Sequence, residues 1–166
     1  HEGARVSRSV LREHVITADH TVVASDPGSV LGYFGWPSIT RASDGRLVIV
    51  ASGFRNAHVC PFGRTVWVES GDEGRTWTAP RVISDTPIDD RDAGVVGLSD
   101  GSVLVSWFTA DTRASSARFP AWREDPFSSF FEAALRRFTD RNVQQWLGSW
   151  VRASADGGES WSTTTP

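Results

Sequence analysis

One eight-residue pattern occurs twice in this chain and restricts its fold more than any other feature. Residues 70–77 and residues 154–161 both read Ser-x-Asp-x-Gly-x-(Thr/Ser)-Trp. Asp and Gly suit a tight turn, because the carboxylate accepts backbone N–H groups and glycine adopts positive φ without strain. The closing Trp is large enough to be buried between neighbouring sheets. The pattern therefore predicts a β-rich unit that is repeated along the chain.

A second repeat marks another turn of the same unit. Residues 43–50 and residues 99–106 both begin with Ser-Asp-Gly and continue into an apolar run, which is typical of a β-hairpin. These turns begin 56 residues apart, whereas the octamers begin 84 residues apart. The longer spacing predicts an insertion in the second unit, between its second and third strands.

The octamer resembles the Asp-box, or bacterial neuraminidase repeat, of the sialidase-like β-propellers. In that family the Asp-box is structural and forms the turn between the third and fourth strands of a four-stranded antiparallel blade. The resemblance implies an all-β propeller of the sialidase type, with about six blades. Two Asp-boxes account for about two blades, so we expect an N-terminal fragment whose partners include the remaining blades of a longer propeller.

The repeats divide the chain into three parts. Residues 1–31 contain an alternating run, at 10–16, that is expected to form a ring-closing strand; residues 32–87 form the first blade, with its Asp-box at 70–77. Residues 88–166 form the second blade, with the Asp-box at 154–161 and a helical insertion at 109–145. A helix is predicted there, starting at Asp125 and Pro126. Its apolar residues recur at helical spacing: Phe127, Phe130, Phe131, Ala134, Leu135 and Phe138.

Composition narrows the class of partners and cofactors. The formal net charge of −3 argues against nucleic-acid binding, and no apolar run is long enough to span a membrane. The single Cys60 has no internal disulfide partner, and we expect it to be a small buried hydrophobe. Cys60 and the four His show no metal-ligand spacing, so we expect neither a metal nor a cofactor. Since a removed secretion signal fits the lack of Met, we expect an extracytoplasmic protein, secreted or periplasmic.

Alternating strand directions place three segments together at the end opposite the Asp-boxes: residues 33–36, 55–64 and 88–92. The last segment contains Asp89-Asp90-Arg91-Asp92, a dense group of charges. Carboxylates held near one another and near arginine can acquire different pKa values, as glycoside hydrolysis requires. We expect Asp90 or Asp92 to act as an acid–base or substrate-binding group. The alternative is a salt bridge between blades.

Four other residues complete the candidate site. His58 is a candidate general base or hydrogen-bond partner, although a lone loop histidine is more often incidental. Arg55 and Arg91 are predicted to hold sugar hydroxyls or a carboxylate, and Trp36 to stack on a sugar ring. No metal ligand is among them.

The family resemblance does not extend to every functional motif. Where sialidases carry Phe/Tyr-Arg-Ile-Pro, this chain reads Phe34-Gly35-Trp36-Pro37, so the first carboxylate-binding arginine is absent. The following loop lacks the family's acid–base Asp, and Tyr33 does not match its nucleophile. We therefore predict a sialidase-like glycoside hydrolase, or a polysaccharide lyase, whose carbohydrate substrate is not a sialoside. The alternative is a non-catalytic propeller that binds glycan or protein.

Overall fold

The computed structural model describes residues 15–116 and 128–166. These residues form two antiparallel sheets, each with its strands in sequence order. The first sheet contains β1 (Tyr33–Arg41), β2 (Leu47–Arg55), β3 (Arg64–Ser70) and β4 (Arg81–Ser84). The second contains β5 (Asp89–Gly97), β6 (Val103–Ala110) and β7 (Ser149–Ser154). Between β6 and β7 the described residues form three short helices: α1 (Arg113–Ser116), α2 (Ser128–Leu135) and α3 (Asp140–Trp146).

The all-β prediction is confirmed for the described residues, which form sheets of four and three strands and no closed propeller. The predicted turns at Asp44-Gly45 and Asp100-Gly101 join β1 to β2 and β5 to β6, with Gly45 and Gly101 at positive φ. Beyond β7, Thr165 forms an isolated bridge to Val151. No described helix has the length and apolar character that crossing a membrane requires.

One sequence expectation differs from the structure in detail: the described part of the insertion contains several short helices rather than one. Within the insertion, Ala134 and Phe138 are buried as predicted. The proposed helix start at Asp125 and Pro126 lies outside the described residues, as does the ring-closing run at 10–16 except for its last two positions, which form no strand.

The two sheets pack face to face around one apolar core. Alternating residues of each strand point to one side of a sheet, which is why β2 and β6 contribute every second residue. The core comprises Val48, Val50, Trp67 and Ile83 from the first sheet and Ala93, Val103, Val105, Trp107 and Trp150 from the second, together with Ala42. Between the first strands, Val95 N–H donates to Ser38 Oγ at 3.3 Å and Gly97 N–H to Thr40 Oγ1 at 3.1 Å. The shared core and these hydrogen bonds therefore hold β5 of the second sheet against β1 of the first.

The two Asp-boxes fold into the same turn. In the first, Asp72 Oδ1 accepts Thr76 N–H at 2.9 Å and Ser70 Oγ accepts Gly74 N–H at 2.9 Å. In the second, Asp156 Oδ1 accepts Ser160 N–H at 2.9 Å and Ser154 Oγ accepts the glycine N–H at 2.7 Å. Matching sequence has thus produced matching local hydrogen bonds, as the turn chemistry predicts.

The second Asp-box also docks on the first sheet. Its Gly157 and Gly158 carbonyls accept hydrogen bonds from Arg46 and Arg81, at 3.0 and 2.6 Å. The ring of Trp161 meets that of Trp67 edge to face, with centroids 5.5 Å apart. This Asp-box therefore has a role between sheets as well as within its own turn.

Candidate functional site

Equivalent bulges in the first strand of each sheet shape the end opposite the Asp-boxes. In β1 the bulge contains Trp36, and in β5 it contains Asp92. Both residues have left-handed backbone conformations, with φ of 52° and 46°. They are 56 residues apart, the spacing of the Ser-Asp-Gly turns, so they occupy equivalent places in the repeat. A bulge redirects side chains and is frequent beside functional sites.

Arg55 and Asp89 form an ion pair buried completely between the two sheets. Arg55 Nη1 lies 2.7 Å from Asp89 Oδ1 and Nη2 lies 3.0 Å from Oδ2, and both side chains are 0% exposed. Burial raises the pKa of the Asp89 carboxyl, while the hydrogen bonds and charge of Arg55 oppose that rise. Gly63 makes room for the pair, since an added Cβ would lie 2.0 Å from Asp89 Oδ1. The pair therefore holds the end of β2 against the start of β5.

The burial of Arg55 does not suit its predicted role of holding sugar hydroxyls or a carboxylate. Its guanidinium also donates to Ser52 Oγ at 2.7 Å and to the His58 carbonyl at 3.0 Å. With no exposed surface, it positions neighbouring groups rather than meeting a soluble ligand directly. The geometry thus favours a salt bridge between the sheets, which was the alternative to a catalytic role for the segment from Asp89 to Asp92.

Asp90 is enclosed on the other side of the same strand. Its Oδ2 accepts Thr86 N–H at 2.9 Å and its Oδ1 accepts the Thr86 hydroxyl at 2.7 Å. Burial raises the pKa of Asp90 to about 7, and the nearby carboxylates of Asp85 and Asp89 add to the rise that the Thr86 bonds oppose. Because Asp90 is 0% exposed, its carboxyl group is closed to a ligand in this conformation. A structural role fits that position better than the predicted catalytic one.

An aromatic and cationic group remains at this end, here called the mouth cluster and comprising Tyr33, Trp36, His58 and Arg91. The Trp36 ring lies 5.0 Å from the His58 ring and 6.0 Å from the Tyr33 ring. The Arg91 guanidinium carbon lies 5.0 Å from the Trp36 centroid and that of Arg55 lies 5.2 Å from it. Tyr33 and His58 are exposed and Trp36 is half-buried, whereas the Arg91 side chain is only 11% exposed. The cluster therefore reaches solvent through its aromatic rings and His58.

The three segments at 33–36, 55–64 and 88–92 do meet, as the Arg55–Asp89 pair and the Trp36–His58 contact require. Asp92, next to Arg91, is exposed. Tyr33 was missed as a member of the site, although it begins one of the three converging segments. No group of three or more potential metal ligands occurs within residues 15–116 and 128–166.

Comparison with known proteins supports the fold more than the function. No protein-family model matches the chain, and no curated protein matches it in sequence. A solved protein of unknown function from Dyadobacter fermentans DSM 18053 is 23% identical with a TM-score of 0.57, over 87% of this chain and 38% of its own. The Hadza microbial sialidase Hz136 is 16% identical with a TM-score of 0.44, over 77% of this chain and 23% of its own.

These comparisons support a fold class for the protein but no specific activity. The likeness to the Dyadobacter protein shows a shared fold, and the likeness to the sialidase is too distant to carry an argument. This chain spans only a minor part of either protein's length. The class established here is an all-β protein built of antiparallel sheets.

Proposed function

We propose that this protein is a sialidase-like β-propeller glycoside hydrolase whose two described sheets are neighbouring blades. The observation that carries the proposal is the mouth cluster, which is open to solvent at the end opposite both Asp-boxes. In a propeller, that end of the innermost strands surrounds the axis. The remaining blades of the ring would complete the site.

The chemistry of the mouth cluster suits a sugar. Trp36 and Tyr33 offer aromatic surface to the apolar C–H face of a pyranose ring, and both carry a polar atom at the edge. His58 supplies an exposed hydrogen-bonding group beside that surface, and Arg91, which is 11% exposed, supplies donors that are only partly accessible. An aromatic platform with a few polar groups around it is a common arrangement in small-ligand sites.

Asp92 is the candidate acid–base group in this proposal. It occupies the bulge equivalent to that of Trp36 and is exposed, whereas Asp90 is enclosed. Glycoside hydrolysis generally uses two carboxyl groups separated by about 5 to 9.5 Å. The partner of Asp92 would come from another blade. The substrate would be a sugar other than sialic acid, because Gly35 stands where the family has its first carboxylate-binding arginine.

Turnover of aryl glycosides and natural glycans, sialosides included, tests the proposal in the full-length protein. Asp92→Asn and Asp90→Asn are run as a matched pair. We expect cleavage of a non-sialic sugar that Asp92→Asn reduces at least about a hundredfold, since general acid–base catalysis contributes that much. Asp90→Asn should retain most activity. Cleavage that survives in folded Asp92→Asn would remove Asp92 from the mechanism.

A non-catalytic glycan-binding propeller is the second candidate function. The observation that favours it is that Asp92 is the one exposed carboxylate in the three converging segments, residues 33–36, 55–64 and 88–92, all of which the structure describes. In that case the protein would bind glycans through Trp36 and cleave none of the panel. Binding without turnover would decide for this candidate.

A further inference from the structure

A groove lies at the same end of the first sheet as the mouth cluster, and it is here called the rim groove. This rim groove has a volume of about 280 Å³ and lies between the start of β3 and the end of α2. Its lining residues are Phe62, Arg64, Ala133, Ala134 and Arg137. Phe62 and Ala134 belong to a small buried core with Cys60. The groove therefore has an apolar floor with a fixed position.

Two arginines beside this floor share one carboxylate. Arg64 Nε lies 3.1 Å from Asp85 Oδ2, and Arg137 Nη2 lies 3.2 Å from Asp85 Oδ1. Arg137 Nη2 also donates to the Thr86 carbonyl at 2.9 Å. Two positive charges against one negative charge leave the trio with a formal charge of +1. Asp85 thus orients both guanidinium groups without neutralising them.

Hydrogen-bonding capacity remains on both arginines. Within the described chain, Arg64 Nη1 and Nη2 and Arg137 Nε and Nη1 have no hydrogen-bond partner. The two side chains are 25% and 40% exposed, so their free donors are accessible from solvent. Guanidinium groups are well suited to bind a carboxylate through paired N–H donors.

We propose that the rim groove binds a carboxylate-bearing sugar residue of an acidic glycan. The carboxylate would accept hydrogen bonds from Arg64 and Arg137, and the C–H face of the ring would lie on Phe62 and Ala134. The groove is smaller than the pockets of about 300 to 1,000 Å³ that hold drug-sized ligands, so one ring suits it better than several.

The rim groove is linked to the end that carries the mouth cluster. Gly63, directly before Arg64, contacts the buried Arg55–Asp89 pair. Thr86, whose carbonyl accepts from Arg137, binds Asp90 on β5. The inference rests on the proposed function only in taking the ligand to be a glycan.

Calorimetric titration of the full-length protein with matched acidic and neutral probes tests the rim groove. The probes are oligogalacturonate and hyaluronan oligosaccharides, each as the free acid and as the methyl ester. We expect the acid to bind at least about fivefold more tightly than the ester, in line with the greater strength of charge-assisted hydrogen bonds. Arg64→Gln and Arg137→Gln should each remove most of that preference.

Two further variants sharpen the test. Arg136→Gln changes the same kind of side chain at the neighbouring, exposed position and should leave the preference unchanged. Asp85→Asn removes the competing carboxylate and should strengthen binding of the acid at least about twofold. Circular dichroism of each variant checks that the fold is retained.

The outcomes separate this inference from the proposed function. Equal affinity for acid and ester, unchanged in folded Arg137→Gln, would overturn the rim groove while leaving glycan binding at Trp36 intact. Acid binding that needs Arg137 but not Trp36 would support the rim groove and count against the mouth cluster. Failure of every acidic and neutral probe to bind would overturn both.

Discussion

Aspartates at the two ends of the paired sheets have opposite electrostatic environments. At the Asp-box end, hydrogen bonds from Thr76 and Ser70 lower the pKa of Asp72 to about 2, and the matching bonds from Ser160 and Ser154 lower the pKa of Asp156. At the other end, burial raises the pKa of both Asp89 and Asp90. The same residue type therefore serves exposed turns at one end and the buried contact between sheets at the other.

Because of this difference, we expect the buried Arg55–Asp89 pair to contribute more to the free energy of unfolding than the Asp-box turns. Asp-box aspartates make their bonds within five residues, so their turns form from local sequence. Asp89 pairs with Arg55, which is 34 residues away, and the pair has no contact with water. Breaking a buried ion pair leaves an uncompensated charge, whereas an exposed turn can exchange its bonds for water.

The largest expected effect comes from removing Arg55. Arg55→Met should lower the free energy of unfolding by about 3 to 5 kcal/mol, because Asp89 is left buried with only the 3.4 Å contact to Arg91 in place of its close ion pair. The matched change Arg91→Met should cost much less, since Arg91 is held to Asp89 only by a 3.4 Å contact. Urea unfolding of both variants makes the comparison. Equal losses would contradict the central place given to the Arg55–Asp89 pair.

A glycine pair compares the two Asp-boxes directly. At Gly158, with φ of 98°, an added Cβ would lie 2.7 Å from the Trp67 ring, whereas at Gly74, with φ of 82°, it would lie 3.5 Å from Trp77. Gly158→Ala should therefore cost about 2 to 4 kcal/mol, from backbone strain and overpacking together. Gly74→Ala should cost about 1 to 2 kcal/mol, from strain alone. Thermal unfolding measures the pair, and similar losses would mean that docking of the second Asp-box adds no constraint.

Two substitutions of Asp90 test its structural role. Asp90→Ala leaves the buried Thr86 N–H without its acceptor and should cost about 1 to 3 kcal/mol. Asp90→Asn should cost less, because an amide oxygen can accept from Thr86 N–H and its NH₂ can donate to the Thr86 hydroxyl. Denaturant unfolding at pH 6 provides the measurement. A larger loss in Asp90→Asn than in Asp90→Ala would contradict this hydrogen-bond arrangement.

Asp90 should also give the stability a pH dependence with a defined sign. The unfolded Asp has a pKa of about 3.9, so between pH 4 and pH 7 the folded state, with the pKa of Asp90 at about 7, binds more protons than the unfolded state. Stability conferred by this group therefore falls as pH rises through that window. The difference in unfolding free energy between the unsubstituted protein and Asp90→Asn should decrease from pH 4 to pH 7. A constant difference would show that Asp90 is already ionised when folded at pH 4.

Parts of this architecture could be predicted because their causes are local or topological. The Asp-box turns follow from residues within one octamer, and the meeting of residues 33–36, 55–64 and 88–92 follows from alternating strand directions. The sheet class follows from the repeated hairpins. These features require no knowledge of which side chains are buried.

The details of the candidate site could not be obtained in the same way. Sequence places Asp90 and Asp92 two positions apart, but only the bulge at Asp92 leaves one exposed while the other is enclosed. The bond between Asp90 and Thr86 depends on the path of the chain between β4 and β5. The 56-residue repeat places Trp36 and Asp92 at equivalent positions in the sequence. Only the structure shows that both have left-handed φ values.

A pair of half-buried tryptophans at opposite ends of the sheets tests whether the mouth cluster binds a glycan. Trp36 lies in the mouth cluster and Trp77 closes the first Asp-box. Binding of the full-length protein to a glycan array is measured for Trp36→Ala and Trp77→Ala, with circular dichroism to check folding. We expect Trp36→Ala to lose glycan binding at least about tenfold while Trp77→Ala retains it, as aromatic contacts dominate such sites. Full binding by a folded Trp36→Ala variant would contradict that expectation.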